Sequence, residues 1–382
     1  MSEHQVVIFR AIDAPVSDEN LAYMERQSSR AEITPWSFDN EYHYGDFHGN
    51  ALEMLRRGYD IHLHYANYGT RNLYIRLPTG FPDAKSAAAY LGASALRFVK
   101  DQSGPGGILS VEPYFEEPEA LWELGDLIEP IVAIRAEILE GDLRPLYIAH
   151  LAMCCDGNHD PEETVEGPVP AGLDKPTPAQ SALAEFLGLG EDLIAAAAVG
   201  CPPLPDTFDP SQLQSQWISR LSSKKKDAWL CRLLAKPDPA LRAEILAEFR
   251  KENSVPAWPT VLLRRTIAEL ENAAEEMARA QKEKDRAASA RKREQQLAAM
   301  VKDPESTLKK VDELVREKKS AAYVQACELL TNLQVALAGR KNAGLAAERA
   351  QQLAEKHPGS QALIRELRRH GLLPDRRKSR QK

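Results

Sequence analysis

Two stretches between residues 36 and 78 alternate with a period of two, and that alternation restricts this part of the chain to strands. In the first, Trp36, Phe38, Tyr42 and Tyr44 hold even positions, with Ser37, Asp39, Glu41 and His43 between them. In the second, Tyr59, Ile61, Leu63 and Tyr65 are apolar, while Asp60, His62 and His64 fall on the other side. Successive side chains of a strand point to opposite faces, so each stretch reads as a strand with one wet face. Taken as neighbours, the two strands place Glu41, His43, Asp60, His62 and His64 on one shared polar face.

The flanking sequence predicts the order β-α-β-α-β-β-α-β-β over residues 1–117. A β-prone run at 5–12 precedes a helix opened by Ser17, with Asp18 and Glu19 in the first turn, where the helix dipole favours acids. That helix is expected to reach about residue 30. A short helix at 51–57 leads into a hairpin at 59–78, which reverses at Tyr68-Gly69-Thr70, glycine supplying the positive φ of a tight turn. A helix at 84–91 and strands at 95–99 and 107–114, joined by Ser103-Gly-Pro-Gly-Gly, complete the region. The mixture predicts an α+β fold, an N-terminal mixed sheet with helices on one face. Residues 118–257 read as a helical domain whose first helix is divided by Pro130.

Residues 258–303 read as a long charged helix, 304–373 as a small helical bundle and 374–382 as a disordered basic tail. Between 261 and 300 there is neither glycine nor proline. The seam Leu263, Ile267, Leu270, Ala274 and Met277 gives way to Gln281 and Lys284. A stripe that fades predicts a helix packed at one end and projecting at the other, rather than a sustained coiled coil.

The 382 residues are 43% hydrophobic and 27% charged, a composition for two or three soluble globular domains. Met-Ser-Glu-His-Gln at the start lacks the basic, apolar pattern of a signal peptide, and the longest apolar runs are too short to span a bilayer. Five cysteines, two of them adjacent, are no disulfide framework. A cytoplasmic protein with no membrane partner is expected. Its net charge of −7 conceals a split: residues 258–382 carry 27 Lys+Arg against 17 Asp+Glu, a net of +10. Such asymmetry points to an acidic or polyanionic partner for the basic end, or to a solvated charged helix.

Alternate histidines on a strand lie about 6.5–7 Å apart and can share a metal with neighbouring carboxylates, so Glu41, His43, Asp60, His62 and His64 form a candidate zinc or manganese site. The bland alternative is a hydrogen-bonded polar face and no cofactor. Arg10, Arg71 and Arg76 are candidates for an anion or for ion pairs, with Asp46 and Glu41 the expected partners of Arg76. His150, Cys154, Cys155 and His159 have ligand-like spacing, although adjacent cysteines seldom reach one ion. Asp156, Asn158 and Asp160 mimic a calcium loop, but Pro161 stands where its glycine belongs. Lys282, Lys284, Arg286, Arg291, Lys292 and Arg293 are candidates for nucleic acid or a partner protein, with Glu283, Asp285 and Glu294 interleaved. No Gly-x-Ser-x-Gly, Walker loop or dinucleotide fingerprint occurs.

The phrases Phe9-Arg-Ala-Ile-Asp, Ser29-Arg-Ala-Glu-Ile-Thr-Pro, Asn40-Glu-Tyr-His-Tyr-Gly-Asp-Phe, Asn67-Tyr-Gly-Thr-Arg and Gly141-Asp-Leu-Arg-Pro-Leu-Tyr resemble an uncharacterised bacterial protein family, over roughly the first 150 residues. That resemblance implies no activity. Residues 323–373 distantly resemble the helical tails of SWIM zinc-finger proteins, but the Cys-x-Cys…Cys-x-His motif is absent and zinc-finger function is not implied. The sequence therefore reads first as a non-enzymatic cytoplasmic interaction or scaffold protein, docking a protein partner through its N-terminal domain and C-terminal helices. A metal-dependent hydrolase using the polar sheet face is one alternative, and a nucleic-acid-associated factor acting through residues 258–382 is another.

Overall fold

The strand that begins the chain lies inside the N-terminal sheet rather than at its edge. A computed structural model describes residues 4–43, 45–92, 95–115, 121, 124–204, 210–235, 241–252 and 257–374. Its strands β1 (Gln5–Arg10), β2 (Glu32–Ile33), β3 (Ser37–Tyr42), β4 (Ile61–Ala66), β5 (Arg71–Leu77), β6 (Leu96–Lys100) and β7 (Gly107–Val111) stand in the order β2-β3-β1-β4-β5-β7-β6. Interspersed are α1 (Asp18–Glu25), α2 (Ala51–Arg56) and α3 (Ala84–Ala87), opened by Ser17, Asn50 and Asp83, whose side chains accept from the first-turn amides. Gly69, at φ 123°, makes the β4–β5 reversal.

The α+β class expected from the sequence holds. All pairings of the sheet are antiparallel rather than mixed. Its helices lie on both faces rather than one. On the first face Val7, Phe9 and Phe38 pack under Met24 of α1 and Met54 and Leu55 of α2. On the second, Ile61, Leu63, Leu73, Ile75 and Val111 pack against a helical layer. That layer comprises α4 (Leu124–Val132), α5 (Ile134–Glu140), α6 (Arg144–Cys154), α7 (Pro178–Phe186) and α8 (Glu191–Ala198), with the short strand β8 (Val169–Pro170) before α7. Pro130 lies inside α4, and the helix gives way to α5 at Ala133. The N-terminus of α7 carries a full capping box between Thr177 and Gln180.

Next come α9 (Pro210–Arg220), α10 (Ser223–Ala235) and α11 (Leu241–Glu252), where Trp217 packs on Phe249 and its indole N–H donates to Glu252. Strand β9 (Thr260–Val261) pairs with β8 and leads to α12 (Ile267–Lys302). A reciprocal cap starts that helix: Thr266 Oγ1 accepts from the Glu269 amide, and Glu269 Oε2 accepts from the Thr266 amide.

The chain divides into two compact units, residues 1–278 and 279–382, with the boundary inside α12. In the first unit Ile267, Leu270 and Ala274 bury the helix's start, as the fading seam implies. From 279 to 296 every residue is exposed. The second unit completes its core with α13 (Pro304–Arg316), α14 (Ser320–Leu337), α15 (Leu345–Lys356) and α16 (Gln361–Arg369). Leu308, Val311, Leu330, Leu333, Ala350 and Leu367 form its centre. The tail expected to be disordered lies, from residue 375, outside the described residues. No helix among the described residues is long and apolar enough to cross a membrane.

Candidate functional site

The shared polar face expected from the sequence is split in two by the register. Glu41 stands opposite Val6, and Val6 opposite Tyr65; His62 and His64 stand opposite Phe9 and Val7. Glu41 therefore shares a face with Tyr65, while His62 and His64 occupy the other. Moreover, β1 lies between the two strands assumed to be neighbours. The physical reason is the double cover: both faces of β4 are buried, so its polar side is an interior side and not the wet one.

His62 is 2% exposed and stacks on Phe9 at 4.1 Å between ring centroids. Its Nδ1 donates to the Ile8 carbonyl at 3.2 Å, and His64 Nε2 donates to Gln5 Oε1 at 3.0 Å. Gln5 in turn donates to Asp46 at 2.7 Å. Burial, and then the neighbouring His64, push His62 down to about 3 from its ordinary 6.5; burial also lowers His64. The His62 imidazole is therefore neutral at neutral pH. Both imidazoles line a polar hollow of about 450 Å³ with His48, Asn50, Asn72 and Tyr74.

Asp60 joins neither group. Its Oδ2 accepts from the amides of Ile12 and Asp13 at 2.7 and 3.2 Å, and its Oδ1 lies 3.0 Å from Arg135 Nη2. Arg135 also holds Asp13 and donates to the Arg76 carbonyl at 2.8 Å. Desolvation raises the Asp60 carboxyl, opposed by Arg135. This is a structural ion pair under the foot of the hairpin.

What the structure does assemble is His4 with Glu41 and His43. Among the described residues they are the group of three whose ligand atoms all lie within 4.8 Å of one another. His4 Nε2 lies 2.7 Å from Glu41 Oε1, and His43 Nε2 lies 3.6 Å from the same oxygen. The two imidazoles stack at 5.4 Å with 20° between their planes. His4 went unnoticed in the sequence because it lies one residue before its strand, yet it has the same parity as Val6, which was the available signal.

No protein-family model, curated protein or solved structure matches the chain.

The three arginines do not converge. Arg10 pairs with Asp39 at 2.8 Å, and Arg76 with Asp101 at 2.7 Å rather than with Asp46 or Glu41. Arg71 is buried, donating to the Phe186 carbonyl and lying over the Phe115 ring. Nor do His150, Cys154, Cys155 and His159 make a site: His150 Nδ1 donates to the Tyr90 carbonyl, and His159 pairs with Asp156. Burial raises Cys154 to about 11 and Cys155 to about 12, so neither is a ready thiolate.

Lys282, Lys284, Arg286, Arg291, Lys292 and Arg293 are all exposed on α12. Helical spacing aligns Lys282, Arg286 and Arg293 along one side. Beyond them, within the second unit, a groove of about 350 Å³ runs between α12 and α14. Leu297 and Met300 lie half-buried in it, with Lys292, Arg293, Gln296 and Asn332 around them.

Proposed function

We propose that this protein is a non-enzymatic interaction protein whose C-terminal helical unit docks an acidic, partly apolar segment of a partner protein. The observation that carries the reading is the α12–α14 groove, which joins an apolar floor, Leu297 and Met300, to the cations Lys292 and Arg293. An amphipathic acidic helix has the matching pattern, with apolar anchors in the groove and carboxylates toward the rim. Tyr323 is the one Phe, Tyr or Trp between 279 and 382, and it is buried, so the unit offers no platform for stacking bases. The hydrolase alternative draws no support from the register, which sets the expected ligands on opposite faces.

The test is photo-crosslinking of the full chain from position 296 in its native cell, followed by sequencing of the captured segment. Capture of an acidic amphipathic segment is expected, with affinity falling about tenfold or more, ~1.4 kcal/mol, in Lys292→Glu/Arg293→Glu. Nuclease-sensitive association, or binding indifferent to that double reversal, would overturn the proposal.

A further inference from the structure

The sheet ends in a rung that the backbone ladder has prepared. Gln5 pairs with Tyr42, so one further step along the antiparallel ladder sets His4 opposite His43. Cross-strand neighbours of this kind bring their side chains together on one face, and Glu41, two residues before His43, shares it. His4 is not a loose end. Its amide donates to Asn67 Oδ1 at 3.0 Å, and its carbonyl accepts from the Asn67 amide at 3.0 Å. The Tyr65 ring meets its imidazole edge-on at 6.4 Å. Two imidazoles and one carboxylate are thus delivered to one point by backbone that is held on both sides.

We propose that His4, His43 and Glu41 form a binding site for a divalent transition metal of the zinc class. Zinc takes nitrogen at about 2.0–2.1 Å and carboxylate oxygen at about 2.0–2.2 Å, which for a tetrahedron sets ligand atoms roughly 3.4 Å apart. The spacing of 3.6 Å between His43 Nε2 and Glu41 Oε1 already meets that value. The 2.7 Å hydrogen bond from His4 opens to it once the metal replaces the shared proton. Coordination uses the Nε2 lone pairs, so both rings carry their proton on Nδ1 in the bound form. Mixed imidazole and carboxylate donors suit zinc, cobalt or nickel, whereas magnesium and calcium call for oxygen alone. His4 and His43 are solvent-accessible, and three protein ligands leave the remaining positions to water. The ion would clasp the start of β1 to the end of β3, at a place remote in sequence from the docking groove and independent of it.

The experiment titrates full-length, untagged protein with Co²⁺ and follows the visible ligand-field bands, with Zn²⁺ competition and equilibrium dialysis as second readouts. One equivalent bound, displaced by Zn²⁺, is expected. His4→Ala and His43→Ala each weaken it by more than the about 10–100-fold that loss of an outer-sphere partner costs. Bound Zn²⁺ also raises Tm in the parent and not in these variants. His64→Ala, on the opposite face, serves as the control and leaves binding intact. Substoichiometric binding, affinity unmoved in the His4→Ala/His43→Ala double variant, or loss on His64→Ala instead would each overturn the proposal. Circular dichroism of every variant, the half-buried His4 and His64 positions included, separates lost ligation from lost folding.

Discussion

Arg135 places its guanidinium 3.0 Å from Asp60 and in bidentate contact with Asp13, while being itself only 1% exposed. Removing one partner of a buried pair strands the other charge, which costs more than the pair contributes over an apolar substitute. Arg135→Met is therefore expected to lose about 3–5 kcal/mol of stability, read as a lower urea midpoint at unchanged slope. Adding Asp13→Asn and Asp60→Asn should recover part of the loss. A single variant as stable as the parent would show that the two carboxylates do not depend on this cation.

His62 supplies a pH dependence. Its native value, about 3, lies below the 6.5 of an unfolded imidazole, so in that window the unfolded chain holds a proton that the native chain lacks. Stability is fully present above the unfolded value and falls as pH falls through the window, by about 1.4 kcal/mol per pH unit for this group. His64, also lowered, adds to the slope. Urea melts of the parent and His62→Gln should diverge in slope below about pH 6. Parallel curves would mean that His62 titrates alike in both states.

Glu166, whose side chain is fully buried, is held by Arg265 through both oxygens and accepts from Tyr147 at 2.6 Å. Arg265 also donates to the carbonyls of Ala196, Ala197 and Val199 at the end of α8. Arg265→Ala should therefore cost about 3–5 kcal/mol, against about 1–3 kcal/mol for Tyr147→Phe, in the same denaturation assay. The reverse ranking would place the weight of this contact on the tyrosine.

The cysteines divide by environment. Cys154 and Cys327 are buried, and burial pushes Cys327 up to about 12, while Cys231 is exposed on α10. Alkylation of native protein with iodoacetamide, read by peptide mass, should label Cys231 first and leave Cys154 and Cys327 unmodified. Early labelling of either would expose a local opening of its core.

Local signals were legible in the sequence. Ser17 caps α1, Gly69 turns the hairpin, Pro130 marks the end of α4's register, and the seam through Ile267, Leu270 and Ala274 fades where burial stops. The helix from Ser17 stops at Glu25, earlier than its pattern implied, and Glu32–Ile33 is too short a strand to register as one. Strand neighbours were not legible, because which strand lies beside β3 is decided by burial across the whole sheet. Alternation in β4 fixes two sides but does not say which meets α2. That single ambiguity carried His62 and His64 to the wrong face and hid His4, whose partner sits 39 positions away.

The bare stretch of α12 from 279 to 296 has a further consequence. With no buried side chain to anchor it, its helicity rests largely on intrinsic preference, and the stretch is made almost wholly of Ala, Arg, Lys, Glu and Gln. Exchanges among these residues leave it intact, whereas a glycine costs about 1 kcal/mol and a proline about 3 kcal/mol. Related chains can therefore drift in identity along this rod while keeping its alphabet.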